Sequence, residues 1–190
     1  MHNKEKILHS ASELFISGGF DALSVRNIAQ KAGLSTIGIY SHFKGKQGII
    51  DALFIDACEK LYQAIDAAQG NTSSDKVIDA CERIVLFSKH HRAHYQLIFG
   101  STEGHTTLSD EASLAFQKLE NSLITLTAAI PKKTPSESKA YSLGSQVWAL
   151  VHGFISLNSI QKLPDSARSD WPEKAAQAVR LHVYAIAATQ

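Results

Sequence analysis

Between Tyr40 and Lys46 a chain of 190 residues places a phenol, an imidazole and two ammonium groups within seven positions, and the hydroxyl of Ser24 precedes them. Each is a hydrogen-bond or charge donor. No serine nucleophile elbow, phosphate-cradling glycine loop or Rossmann glycine pattern accompanies them, so the chemistry on offer is the holding of phosphate oxygens and not bond making. Ser24, Tyr40, His42 and Lys46 fall at helix ends or just beyond, where such donors reach phosphates on either side of a nucleic-acid groove. Helix starts at Ser24 and Ser35 add anion affinity through free backbone N–H groups.

One other cluster invites a chemical reading. His90 and His94 are spaced i, i+4, on one helix face as in metalloprotease helices, but the glutamate of H-E-x-x-H is missing and position 91 is a third histidine. No carboxylate or cysteine follows at ligand spacing. Solvated histidines at a helix junction account for the cluster, so no metal, no cofactor and no enzymatic activity are expected.

The elements that must position these groups are helical. Ile7, Ala11, Leu14 and Phe15 recur at i, i+4, i+7 and i+8, giving a first helix one apolar stripe that Gly18 and Gly19 stop. Leu23 and Ile28 bracket Ser24 as a hydrophobic staple around an N-cap, so a second short helix begins there and ends near Gly33. Ser35 caps a third carrying Ile39, Tyr40 and Phe43, and a long fourth runs from about Lys46 to Ala68. The period returns through Val77, Cys81, Ile84 and Val85, through Tyr95, Ile98 and Phe99, and from Leu114 to Ile130. Thr134 with Pro135 and Glu137, and Asp170 with Pro172 and Glu173, sign two later helix starts. Strand alternation is absent. The expectation is an all-α chain of about nine helices, with a small three-helix domain over 1–46 and a larger helical domain over 47–190.

Composition bounds the rest. A hydrophobic content of 44% and a formal charge of +1 describe an ordinary globular chain. The first fifty residues hold six lysine and arginine side chains against three carboxylates, a local +3 that favours a polyanionic partner, although ordinary solvated charge gives the same count. Cys58 and Cys81 lie in helical patterns, as buried free thiols of a reducing compartment do. No apolar run approaches the roughly 20 residues that span a bilayer. The N-terminus alternates charge with apolar residues, unlike a signal peptide. A cytoplasmic protein with no membrane partner is expected.

The spacing from Ser24 to Phe43 meets the demands of a helix-turn-helix. Ala29 is small where two helices approach, Gly33 permits the turn, and Val25, Ile28, Ala32 and Ile39 supply the inner faces. Glycine-turned hairpins that never touch DNA share this spacing. The longer stretch ILHSASELFISGGFDALSVRNIAQKAGLSTIGIYSHFKGKQGII, residues 7–50, resembles the TetR family of bacterial transcriptional repressors, whose first domain pairs "A..LF...G" with "IA..AG.S...Y.HF..K". The resemblance implies a homodimer on double-stranded operator DNA, a second domain that takes a small-molecule effector, and release of DNA when that ligand binds. It carries onto Ser24, Arg26, Ser35, Thr36, Ile37, Gly38, Tyr40, Ser41, His42 and Lys46 as DNA contacts, with Tyr40, His42 and Lys46 at the family's phosphate-contacting positions. The third helix holds no Arg or Lys, the commonest guanine readers, so base readout leans on Thr36 and Ile37 against thymine methyls and on Arg26. Gly45 and Gly48 replace a capping side chain and an acid usual in the family, so helix four is expected to fray at its start.

WALVHGF, residues 148–154, resembles a Trp-x-x-x-His-Gly motif of one branch of the same family. Leu143, Val147, Leu150, Val151, Phe154 and Leu157 form one stripe, with Trp148 and Ile155 off it, so this helix has two faces to bury. One lines the domain core, and the other pairs with the last helix, Ala175 to Ala188, in a four-helix dimer interface. Phe87, Tyr95, Phe99, Phe116, Trp148 and His152 are candidate linings of an apolar effector cavity, and core packing explains each aromatic on its own terms. His152 either bonds a backbone carbonyl or orients a ligand. Beside the repressor, two readings stay open: a metal-responsive regulator and a helical ligand-binding protein that does not bind DNA.

Overall fold

The computed structural model describes residues 3–100, 107–130, 143–158 and 171–188. Among them every regular element is helical: α1 (Asn3–Gly18), a 3-10 turn (Gly19–Ala22), α2 (Val25–Ala32), α3 (Thr36–Tyr40), α4 (Gly45–Asp66), α5 (Ser73–His90), α6 (Arg92–Phe99), α7 (Asp110–Ala128), α8 (Leu143–Asn158) and α9 (Trp171–Ala188). The helix starts read at Thr134 and Asp170 lie outside the described residues. The chain forms two compact units, Met1–Glu59 with His91–Gln117, and Lys60–His90 with Lys118–Gln190, so α4 and α7 each contribute to both.

In the first unit the stripe of α1 does what its spacing requires: Ile7, Ala11 and Phe15 are buried, and the Phe15 and Phe20 rings meet edge to face at 5.0 Å. Helix α2 opens on Ser24, whose side chain accepts the Asn27 N–H at 3.1 Å, and closes on Gly33 in the left-handed region at φ 68°. Helix α3 opens the same way, with Ser35 accepting the Gly38 N–H at 3.0 Å. It ends at Tyr40, so Phe43 is buried beyond the helix and not on it. Helix α4 begins at Gly45 itself. Gly45 adopts φ 76° and donates its N–H to the Phe43 carbonyl at 2.9 Å, a left-handed turn that a capping side chain would strain.

In the second unit α9 packs on α5 and α8, and α5 packs on α8. Val77, Cys81 and Ile84 from α5 meet this core with Val147 and Val151 from α8 and Val179 and Val183 from α9, all buried. The buried line of α8 differs from the expected stripe, taking in Leu143, Val147, Val151 and Ile155 while Leu157 is 59% exposed. Successive i+4 steps turn by about 40° around a helix, so the core line winds toward Ile155 and leaves Leu157 outside. At Gly144 the helix comes so close to α7 that a Cβ would stand 2.7 Å from the Ile124 Cα. Polar ties complete the packing: the Tyr184 hydroxyl donates to Asp75 at 3.1 Å and Arg180 to Glu82 at 2.8 Å. Hydrogen bonds from Thr72 and then Tyr184 hold the Asp75 carboxyl below the usual range.

Cys58 and Cys81 are buried and unbridged, and burial pushes each thiol up to about 12. Among the described residues no helix is long and apolar enough to cross a membrane.

Candidate nucleic-acid interface

Helices α2 and α3 pack through Ile28 and Ile39, both 0% exposed, and Ala29, with Val25 and Ala32 half-buried beside them. That contact fixes the other side of α3. Ile37 and Tyr40 stand 80% and 62% exposed there, with Ser35, Thr36, Ser41 and His42 also exposed and Gly38 half-buried. From α2, Arg26 is exposed and Ser24 half-buried. The ten candidate residues therefore all reach the surface of the first unit, carried on two helices, their caps and the turn before α4.

Three of the hydroxyls have local work. Ser24 and Ser35 cap their helices, and Ser41 Oγ donates to the Gly38 carbonyl at 2.8 Å. Lys46 has a long-range partner: its Nζ donates to the Phe20 carbonyl at 3.1 Å, tying the first turn of α4 to the 3-10 turn. An ammonium has three donors, so this bond leaves two for an anion. Nothing in the sequence pointed to that tie, which joins positions 26 residues apart. Lys31 is engaged with Glu13 at 3.2 Å. The arrangement presents one guanidinium, one imidazole and the two ammonium groups of Lys44 and Lys46 around an exposed, uncharged helix, a form suited to phosphates at the edges and base edges at the centre.

The candidate effector residues fall into separate groups. Tyr95 and Phe99 lie 4.7 Å apart and Phe99 and Phe116 6.4 Å apart in the first unit. Phe87, Trp148 and His152 belong to the second, where His152 Nε2 is 3.1 Å from Ser156 Oγ and burial lowers the imidazole pKa. A cavity of about 530 Å³ in the second unit has a different lining: Tyr62, Ile65 and Asp66 from α4, Lys76 from α5, and Lys118, Asn121, Ser122, Thr125 and Leu126 from α7. Lys118 Nζ lies 3.9 Å from the Tyr62 ring centroid, a cation–π pairing at the wall. Sequence reasoning missed this site because its lining comes from three helices with no shared motif.

The histidine cluster sits at a helix junction, as expected, but without the shared helix face that the spacing of His90 and His94 offered. Helix α5 ends at His90 and α6 begins at Arg92, with His91 between them at φ −122°, so His90 and His94 do not share a helix. His94 Nε2 lies 3.4 Å from Asp56 Oδ2. Among the described residues no three His, Cys, Asp or Glu side chains gather to hold a metal ion.

Residues 7–53 match the family model for "Bacterial regulatory proteins, tetR family", and residues 77–185 match "Tetracyclin repressor-like, C-terminal domain". The chain is 29% identical over 112 residues to the probable HTH-type transcriptional regulator YttP of Bacillus subtilis (strain 168), covering 57% of this chain and 54% of that protein. It is 37% identical over 54 residues to the tetracycline repressor protein class D of Escherichia coli, covering 28% of this chain and 25% of that one. The chain thus spans about half, or less, of the length of these curated relatives. The crystal structure of the TetR family transcriptional regulator PfmR from Thermus thermophilus superposes with a TM-score of 0.71 at 20% identity, covering 94% of this chain and 97% of the other, and so shares the fold.

Proposed function

Because the chain belongs to the TetR family of bacterial regulatory proteins, we propose that it is a DNA-binding transcriptional regulator, a repressor released from a palindromic operator by a small-molecule effector. The observation that carries this reading is the exposed side of α3, held out by buried Ile39 and flanked by Arg26, His42 and Lys46. In this proposal residues 1–46 meet DNA through Ser24, Arg26, Ser35, Thr36, Ile37, Gly38, Tyr40, Ser41, His42 and Lys46, and residues 47–190 dimerise and take the effector. The protein acts in the cytoplasm, where its operator is, as a binding protein without a catalytic role. Exposed Leu157 on α8 and Leu181 on α9, at 59% and 66%, support a homodimer built on those two helices, since a palindrome needs two reading helices.

The test is a binding titration of the full chain against its own upstream intergenic DNA across a salt series, with random DNA as control. Tight, salt-dependent binding that prefers the intergenic sequence is expected. Lys46→Ala is expected to weaken binding to every sequence and to lower the slope of log affinity against log salt by about one. An unchanged slope removes Lys46 from the phosphate contacts, and no preference over random DNA overturns the regulator reading for that operator.

For the effector, the cavity walled by α4, α5 and α7 is the favoured site. Its about 530 Å³ suits a small organic molecule, and its two lysines and one aspartate favour a ligand with polar groups of its own. Thr125 is an exposed wall residue, and Thr125→Trp is expected to fill the space without disturbing the core. A small-molecule screen read by thermal shift should yield ligands that stabilise the wild type and fail on Thr125→Trp. Ligands that stabilise both equally would transfer the site to the Tyr95, Phe99 and Phe116 rings or to Phe87, Trp148 and His152.

A further inference from the structure

Helix α7 carries two unlike strips through the second unit. Leu119 and Leu123 are fully buried. Beside them Lys118, Ser122 and Thr125, at i, i+4 and i+7 and so on one face, line the cavity of about 530 Å³ described above. On a convex surface such a polar strip would meet only water. Here it forms one wall of a concave space whose apolar part comes from Ile65, 1% exposed, and half-buried Leu126.

The charges along the walls are unbalanced. Two ammonium groups, Lys76 and Lys118, stand against one carboxylate, Asp66, and Asp66 does not pair with Lys76. Lys118 Nζ is held 3.9 Å from the Tyr62 ring centroid, a contact that positions the ammonium without neutralising it, because a ring face carries no net charge. Ser122 spends its proton on the Leu119 carbonyl at 2.6 Å, whereas the Asn121 amide and the Thr125 hydroxyl bring further donors to the same wall. A cleft lined by an excess of one charge between low-dielectric walls concentrates its field on what enters. We propose that this cavity takes an organic anion, with an acid group, carboxylate or phosphate, held by Lys76 and Lys118 and an apolar part resting on Ile65 and Leu126. This inference rests on the effector-site reading above and deepens it by naming the chemical class of the ligand.

The experiment titrates the full chain with phenylacetate, octanoate and phenyl phosphate, each beside its uncharged counterpart, phenylacetamide, octanamide and phenol. The wild type is expected to bind at least one acid about tenfold more tightly than its neutral partner, the scale of a charge-assisted hydrogen bond, and added salt is expected to erode that preference. Lys76→Gln and Lys118→Gln should each remove most of it. Lys89→Gln deletes the same charge at the other end of α5 and should leave it unchanged. All three lysines are exposed, so the variants fold, and unchanged melting curves verify it. Preference for phenyl phosphate or for the carboxylates supports the inference either way and tells the two acid groups apart. Equal binding of acid and neutral partner, or a preference that survives in both lysine variants, overturns the anion class, and the site itself stands if Thr125→Trp abolishes binding. Acids that bind Thr125→Trp as well as the wild type overturn the site, and a panel in which nothing binds overturns both.

Discussion

Replacing Gly144 by alanine is expected to destabilise the protein by roughly 1–3 kcal/mol, the range for forcing an extra carbon into a packed interior. The added Cβ would stand 2.7 Å from the Cα and 2.8 Å from the backbone nitrogen of Ile124, and 3.0 Å from its Cγ1. A side-chain atom can rotate away, but backbone atoms inside α7 cannot move without carrying the helix. The methyl must therefore push α8 off α7 or break the α7 ladder. For a chain of this length each kcal/mol lowers the melting temperature by about 2–4 °C. Gly153 supplies the comparison on the same helix. Nothing lies within 4 Å of a Cβ placed there, so Gly153→Ala should raise stability by up to about 1 kcal/mol through helix propensity alone. Equal melting temperatures for the two variants would mean that the α7–α8 contact yields at no cost.

Ile39→Ala is expected to cost about 2–5 kcal/mol, the usual loss for emptying a fully buried isoleucine site. Its effect on DNA recognition should exceed its effect on stability. Helix α3 has five residues, far below the length at which a helix holds itself together in water, so its orientation comes from the anchor it buries against α2. With the anchor gone the reading side has no fixed direction, and sequence preference should collapse even at temperatures where the variant stays folded. Denaturant titration combined with binding to specific and random duplexes separates the two effects. Ile37→Ala, two positions away and 80% exposed, should change stability by less than about 0.5 kcal/mol and alter only the preference. An Ile39→Ala protein that still discriminates like the wild type would show that α3 is held by something other than this contact.

The parts of the fold that were legible in the sequence are those set by near neighbours. Ser24 and Ser35 announce their helices because a serine cap bonds a backbone N–H three residues on, a distance that sequence spacing records directly. Gly33 marked the turn for the same reason. The helical class was readable throughout, and so was the buried stripe of α1. Legibility fails where a second element decides the outcome. On α8 the periodicity marks a stripe that ends on Leu157 with Ile155 off it, and only contact with other helices selects the line that ends on Ile155 and leaves Leu157 outside. A helix junction at the histidine cluster was legible, but the i, i+4 spacing of His90 and His94 also suits one continuous face, and only the break at His91 decides between them. Gly45 looked like a missing cap until its positive φ gave it a role. The Lys46–Phe20 bond and the cavity walls are tertiary facts, and a cavity has no periodicity to detect.

Cys58 and Cys81 offer a use that lies outside binding. Only a thiolate attacks an alkylating reagent, and with burial holding both thiols near 12 the folded protein supplies almost none at neutral pH. Each sulfur therefore becomes reactive when its own surroundings open, and the rate of its labelling measures the free energy of that opening. The two belong to different compact units, Cys58 to the one that carries α3 and Cys81 to the one that carries the cavity. Peptide mass analysis after timed alkylation thus gives two local clocks in one unmodified molecule, one for the opening of each unit. A ligand that stiffens only the cavity unit would slow the Cys81 clock and leave the other running, with no engineered label and no DNA present.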